Sequence, residues 1–392
     1  MREFIESLKQ QLFFPTEAKR AIRRDREPVP ERADPGIDAV ITSGLAWLGV
    51  AQDRSASRDG GVARHYSVLK GWGESYPETT GYIVPTVIHF AREFGRDDLH
   101  VRARRMLDWL VSIQMPGGGF QGGMVNATPK VPVTFNTGQI LMGLAAGTSN
   151  YGERYAPAMR QAADWLAKTI DADGCWRRHA TPFAQPGEKA YETHVTWGLL
   201  EALRVERSPA WEQAARMNID WAIGKQQANG WVSDCCLSSS TTPLTHTLGY
   251  YLRGLLEAFE FFQNERYLAA TKLTATGLLT ALRPDGWLPG RLNSDWSAAV
   301  DWVCLTGSVQ VAHTWLRLYE ITGEDRYLRA GRLTNGFVRR TVMVEGPEQC
   351  VGGVQGSYPI SGHYGQWEYL NWACKFMLDS VWLEKRIGQG GR

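Results

Sequence analysis

Apolar positions recur with a helical period along most of the chain, and two kinds of helix alternate. One kind is amphipathic: in "HVRARRMLDWLVSIQ", Val101, Met106, Leu107, Leu110 and Val111 form one stripe among charged positions. The other kind is apolar round most of its circumference. Examples are "TGYIVPTVIHFARE", "TGQILMGLAAG", "HVTWGLLEALRV", "HTLGYYLRGLLEAFEFF", "LTGSVQVAHTWLRLYEI" and "WEYLNWACKFMLDSVWLEK". A striped helix covers a core, whereas a helix apolar all round lies inside one. Between each striped helix and the next apolar one, the pattern predicts a turn and a loop of roughly 10 to 25 residues.

The turns themselves repeat. "IQMPGGGFQGG", "IDADGCW", "KQQANGW" and "LRPDGWLPG" place an aromatic residue at Phe120, Trp176, Trp231 and Trp287, at spacings of 56, 55 and 56 residues. Weaker copies, "DGGVARHYS" around Val62 and "VGGVQGSYP" around Val354, bring the number of units to six. A fixed period of this length marks one supersecondary unit used again and again. Each turn carries glycine, which suits the left-handed position that ends a helix. Six outer and six inner helices follow, with the first outer helix, near Ile37 to Val50, pairing with the last inner one to close a ring. The expected fold is all-α: a single (α/α)6 toroid over residues 35–392, behind a helical extension at 1–34.

The recurring Q…G-[GN]-[FW] segments resemble the QW-type repeats of the terpenoid cyclase and protein prenyltransferase group. The same toroid is shared by six-hairpin glycosidases, several polysaccharide lyases and sugar epimerases, so the resemblance implies a scaffold and not an activity. "SYPETTGY" and the terminal "EYLNWACKF" are also similar to bacterial proteins of exopolysaccharide biosynthesis described as prenyltransferase- or cyclase-like. That likeness implies a glycan or lipid-linked glycan substrate.

Composition narrows the function. Acids and bases are interspersed with a net charge of only +2, which leaves no footprint for nucleic acid. Sixteen Trp and fourteen Tyr exceed ordinary core needs and suit a cleft that stacks on sugar rings or encloses an apolar chain. Six cysteines without CxxC spacing suit a reducing compartment, and Cys235 and Cys236 read as small buried residues beside Trp231. With no signal peptide and no membrane-spanning run, the expected location is the cytoplasm. Residues 3–24 hold Phe4, Ile5, Leu8 and Leu12 on one helical face, followed by Lys19, Arg20, Arg23 and Arg24. Such a segment suits a peripheral contact with an anionic membrane, although more often it packs on its own domain.

In a toroid the loops that enter the inner helices gather at one end, where the helix N-termini favour negative ligand charge. Glycines at 81, 138, 198, 249 and 307 align the inner helices, and the residues just upstream are the candidates. Glu78, His194, His246, Asp301 and Glu368 are expected in proton-transfer or nucleophilic roles. Tyr76, Asn136, Tyr191, Glu192, Arg291, Trp302, His363 and Tyr364 are expected to bind and orient. Singly, each has a plainer reading as a helix cap or a hydrogen-bonded core residue. Their convergence from six units is what points to a site.

Two chemistries fit. A glycosidase needs two carboxylates about 5 to 9.5 Å apart. A uronate lyase or epimerase needs a base, a second proton carrier and donors for an enolate, roles suited to His194, His246, Tyr191 and Tyr364, with Asn136 and Arg291 on the acid group. The wealth of His and Tyr favours proton transfer, so the expected protein is a carbohydrate-active enzyme that needs no cofactor. Isoprenoid chemistry is the alternative, but the only acidic cluster, Asp171 to Asp173, falls short of a cyclase "DxDD". The resemblance to protein prenyltransferases implies a zinc set of Asp301, Cys304 and His363, with Asp and Cys one residue too far apart for that pattern. A third reading is a non-catalytic glycan-binding toroid.

Overall fold

The computed structural model describes residues 13–390. Among them, one short helix, Thr16–Asp25, precedes twelve that alternate between two concentric rings. The outer ring is Ile37–Asp53, Asp97–Ser112, Ala156–Thr169, Pro209–Ile223, Glu265–Ala281 and Asp325–Thr341. The inner ring is Pro77–Glu93, Thr134–Tyr151, Thr193–Val205, Thr245–Phe262, Leu305–Thr322 and Asn371–Gly388. Each inner helix packs on its two inner neighbours, the last against the first, and the last also returns to the first outer helix. The fold is an (α/α)6 toroid, as the periodicity predicts. Burial follows the same division: inner Thr134–Tyr151 is buried almost throughout, whereas Pro209–Ile223 in the outer ring buries a stripe led by Trp211, Ala215 and Ile219.

Connections differ between the two ends of the ring. Three residues join Glu93 to Asp97, whereas 21 join Ser112 to Thr134 and 29 join Thr341 to Asn371. All the long loops lead into inner-helix N-termini, so one end of the toroid is crowded with irregular chain. Short ladders tie these loops together. Strand His65–Ser67 pairs antiparallel with Glu368–Leu370, matching Ser67 with Glu368, and Val303–Cys304 pairs with Ser357–Tyr358.

The repeat glycines do something other than end a helix. A Cβ on Gly118 would lie 2.2 Å from the Gln161 carbonyl oxygen, and one on Gly174 2.2 Å from that of Met217. Each contact is with the next outer helix. The repeat glutamines reach the same neighbour by hydrogen bonds: Gln114 Nε2 donates to Ala158 O at 3.0 Å and Gln226 Nε2 to Ala270 O at 2.8 Å. The motif is therefore a clasp between adjacent outer helices, which is why it recurs once per helix pair.

Helix Thr16–Asp25 buries Ala18 and Ala21 against the toroid. Arg24 Nη2 donates to Val342 O at 2.9 Å, and Asp25 Oδ2 accepts from the Ile360 N–H at 2.6 Å. Phe4, Ile5, Leu8 and Leu12, the apolar face read from the sequence, lie outside the described residues. No described helix is long and apolar enough to cross a membrane.

Candidate functional site

Where the inner helices begin, the loops enclose a cavity of about 350 Å³. Six residues expected from the sequence line it: Tyr76, Glu78, Asn136, Tyr191, His246 and Tyr364. Arg64, Phe135, Phe183, Tyr250 and Trp372 line it too, beside smaller loop residues such as Met124, Ala127 and Thr181. Aromatic rings are the largest group of lining side chains.

Glu78 is the second residue of its inner helix and is 9% exposed. Burial pushes its carboxyl up to about 7, opposed by the Tyr76 hydroxyl, which donates to Oε2 at 3.0 Å, and by the charge of Arg64. Near neutral pH this group both holds and releases a proton. His246 is the second residue of Thr245–Phe262, with Nδ1 2.7 Å from Gln310 Oε1. An amide oxygen only accepts, so Nδ1 carries the proton and Nε2 a lone pair. Burial brings its pKa down to about 4, and the imidazole is neutral at physiological pH.

Closure of the ring supplies the cation. Arg64 precedes strand His65–Ser67, which pairs with the last loop, and its Nη1 donates to Glu368 Oε2 at 2.7 Å. The guanidinium lies 5.1 Å from the Trp372 ring, and Trp372 Nε1 donates to the Tyr364 hydroxyl at 2.9 Å. Asn136 Nδ2, on the next inner helix, is buried and has no protein partner. It is a donor available to a ligand oxygen.

The other candidates lie elsewhere. His194 is beneath the floor, its ring 4.2 Å from that of Tyr250 and its Nδ1 bonded to Gln139. Glu192 is buried behind Tyr191, where burial pushes it up to about 8 despite the charge of Lys189. Glu368 is held back by Arg64. Arg291 donates to Thr242 O and Ser238 Oγ, each at 2.7 Å, and does not face the cavity. Asp301 and His363 are exposed, while Trp302 packs with Cys236, Leu244 and Cys304. The alignment explains the miss: Gly81 and Gly138 lie four residues into their helices but Gly307 only two, so Asp301 falls in a bend of the loop ahead of strand Val303–Cys304. Cys304 is wholly buried, and among the described residues no three His, Cys, Asp or Glu side chains are grouped to hold a metal ion. The zinc set is not assembled. Asp171 and Asp173 pair with Arg177 at the surface and do not line the cavity.

Arg64, Phe135, Tyr250 and Trp372 are among the lining residues that escaped the sequence reading. Tyr250 follows Gly249 and so lies outside the stretch taken upstream of each glycine, Trp372 is the second residue of a helix with no glycine in its first turns, and Phe135, though upstream of Gly138, reads as an ordinary core residue. Arg64 is visible in the weak repeat "DGGVARHYS", but its place depends on a strand pairing some 300 residues away.

The family model of the squalene-hopene cyclase C-terminal domain matches residues 73–259, a little under half of the chain. Solved structures match over nearly all of it. An unsaturated glucuronyl hydrolase specific for heparin superposes with a TM-score of 0.72 at 13% identity, covering 91% of this chain and 99% of the other. The enzyme of that name from Bacillus sp. GL1 gives 0.70 at 13% identity, over 91% and 97%. A cellobiose 2-epimerase from Bacillus thermoamylovorans gives 0.69 at 11%, over 88% and 97%. At these identities the likeness is one of fold, and it is the toroid. No curated protein sequence matches the chain.

Proposed function

We propose that this protein is a carbohydrate-active enzyme that moves a proton at a sugar carbon next to a carbonyl or carboxylate, as an epimerase or uronate lyase does. One observation carries the reading: among the lining residues Glu78 is the only carboxylate, and the cavity pairs it with a neutral imidazole. Hydrolysis across two carboxylates needs a partner for Glu78 that the walls do not offer. In the proposed reaction His246 Nε2 takes the proton, and Glu78, poised near neutrality beside Tyr76, returns one. Asn136 and Arg64 stabilise the oxyanion that forms between the two steps. Tyr76, Tyr364 and Trp372 offer aromatic surface to the sugar ring. The toroid neighbours, which are glucuronyl hydrolases and a cellobiose 2-epimerase, support a glycan substrate. The cyclase match favours an isoprenoid instead, but a carboxyl titrating near 7 is too weak an acid to protonate an isolated alkene.

The test is exchange. Acidic and neutral oligosaccharides are incubated with the protein in D₂O and analysed for deuterium at carbon, beside a thermal-shift panel that includes prenyl diphosphates. Deuterium at carbon without chain cleavage, as an epimerase gives, or cleavage that leaves an unsaturated uronate end, as a lyase gives, is the expected result. New reducing ends with neither deuterium at carbon nor an unsaturated end would mean a hydrolase, and a shift with prenyl diphosphates alone would overturn the glycan reading.

A further inference from the structure

What holds His246 in a single neutral form is not explained by the cavity, and the answer lies on the next helix. We propose that Gln310 is the positioning residue of the site, locking the His246 proton on Nδ1 so that the Nε2 lone pair serves the cavity, and that Gly249 exists to let Gln310 reach it. The proposal rests on the reading of His246 as the base.

Gln310 is the sixth residue of Leu305–Thr322, 6% exposed, with Oε1 2.7 Å from His246 Nδ1. To get there it crosses the seam between two inner helices at Gly249. A Cβ on Gly249 would come 2.7 Å from Gln310 Cβ and 2.9 Å from its Oε1, so a larger residue displaces the glutamine. Around His246, Tyr250 on its own helix at 4.3 Å, Tyr364 of the last loop at 5.4 Å, His194 on the neighbouring helix and Cys304 ahead of Leu305–Thr322 carry no charge at neutral pH, while the charged groups lining the same cavity are Glu78 and Arg64. A carboxylate in place of the amide would be the one charged partner and would draw a second proton onto the ring. The amide orients without charging. His194 and Gln139 pair at the same positions of their helices, but there the glutamine comes from the preceding inner helix instead of the following one, and that pair does not line the cavity.

Imidazole ¹⁵N shifts of the whole protein read the tautomer directly, and pH–rate profiles read its consequence. Gln310→Met keeps the shape and removes the acceptor: mixed tautomers and a loss of turnover of roughly 10²-fold are expected. Gln310→Glu should raise the His246 midpoint by about 1 to 3 units and carry the acidic limb of the profile up with it. Gly249→Ala should reproduce the tautomer change with both side chains present. Unchanged imidazole shifts in Gln310→Met and Gly249→Ala, or a changed tautomer with full turnover, overturn the proposal. If Gln310→Met does not fold, an unmoved His246 midpoint in Gln310→Glu overturns it. The ¹⁵N readout needs no substrate, so absence of turnover on every glycan defeats the functional reading while the lock is still decided.

Discussion

Two buried glutamates sit at opposite ends of the same inner ring, and their surroundings have opposite consequences. Glu257, toward the C-terminal end of Thr245–Phe262, is pushed up by burial, but Arg253 at 2.7 Å and Arg204 at 3.1 Å outweigh that and hold it below the usual glutamate range. Around it the charges are paired throughout: Lys375 with Asp379 at 2.6 Å, Arg386 with Glu320 at 2.8 Å, and Arg317 with both Glu260 and Glu320. Glu78, at the N-terminal end, has a phenol for its nearest partner and rises to about 7. Burial alone therefore does not mark a site. Burial without a close counter-ion leaves a carboxyl able to change state near neutral pH, as at Glu78 and Glu192, and of these two only Glu78 lines the cavity.

The contrast breaks most visibly at Glu78. Glu78→Gln should cut turnover by about 10²- to 10⁴-fold while making the protein more stable at high pH. The sign follows from linkage. Folded Glu78 titrates near 7 and an unfolded glutamate near 4.5, so the folded state binds the extra proton between those values. Its contribution to stability is therefore lost as pH rises from 4.5 to 7 and stays lost above. The amide removes that cost, giving a gain of up to about 3 kcal/mol at pH 8 and none at pH 4. Urea denaturation at both pH values reads it. Equal gains at the two would mean that Glu78 is not held in its neutral form.

At the other end the effect should reverse. Arg253→Met leaves Glu257 short of a partner and removes a guanidinium stacked 4.1 Å from Trp197. Breaking a buried pair in this way costs about 3 kcal/mol or more, with turnover per folded molecule unchanged. A loss of turnover at constant stability would show that the paired end takes part in the reaction, and the division between the ends would fail.

The same contrast explains what the sequence discloses. Helix alternation and the glycine clasp are local and periodic, so the toroid and its mouth are legible from residues alone. Glu78, Asn136 and His246 are legible too, because they stand at equivalent turns of equivalent helices. Arg64 is not: strand pairing across the ring closure brings it to Glu368, and no local period encodes that. Nor could spacing distinguish Glu78 from Glu192 and Glu368, since all three are acids near helix starts and only packing decides which one faces the cavity.

A subtler probe asks whether Arg64 reads ligand charge. Glu368→Gln removes its counter-ion but leaves an acceptor of the same shape. Acidic oligosaccharides should then bind up to about fivefold more tightly, in line with a partly exposed pair worth under 1 kcal/mol, while neutral ones bind as before. Isothermal titration with a matched acidic and neutral pair separates the cases. Equal changes for both would mean that Glu368 shapes the rim and that Arg64 does not sense the acid group.

The smallest effect is expected where sequence reasoning expected a large one. Asp301 and His363 are exposed, and neither the carboxylate nor the imidazole belongs to the cavity wall. The double variant Asp301→Asn, His363→Ala should leave melting temperature and turnover unchanged, since surface substitutions away from special features rarely register. The value of this variant lies in what it excludes. Both residues belong to the loops that crowd the mouth, so a proton-transfer site spread across the whole mouth would lose activity here, as would a zinc site using Cys304. A site confined to the cavity between Glu78 and His246 would not. Full activity in this variant beside a large loss in Glu78→Gln would locate the chemistry in the cavity between Glu78 and His246, and not across the whole crowded mouth.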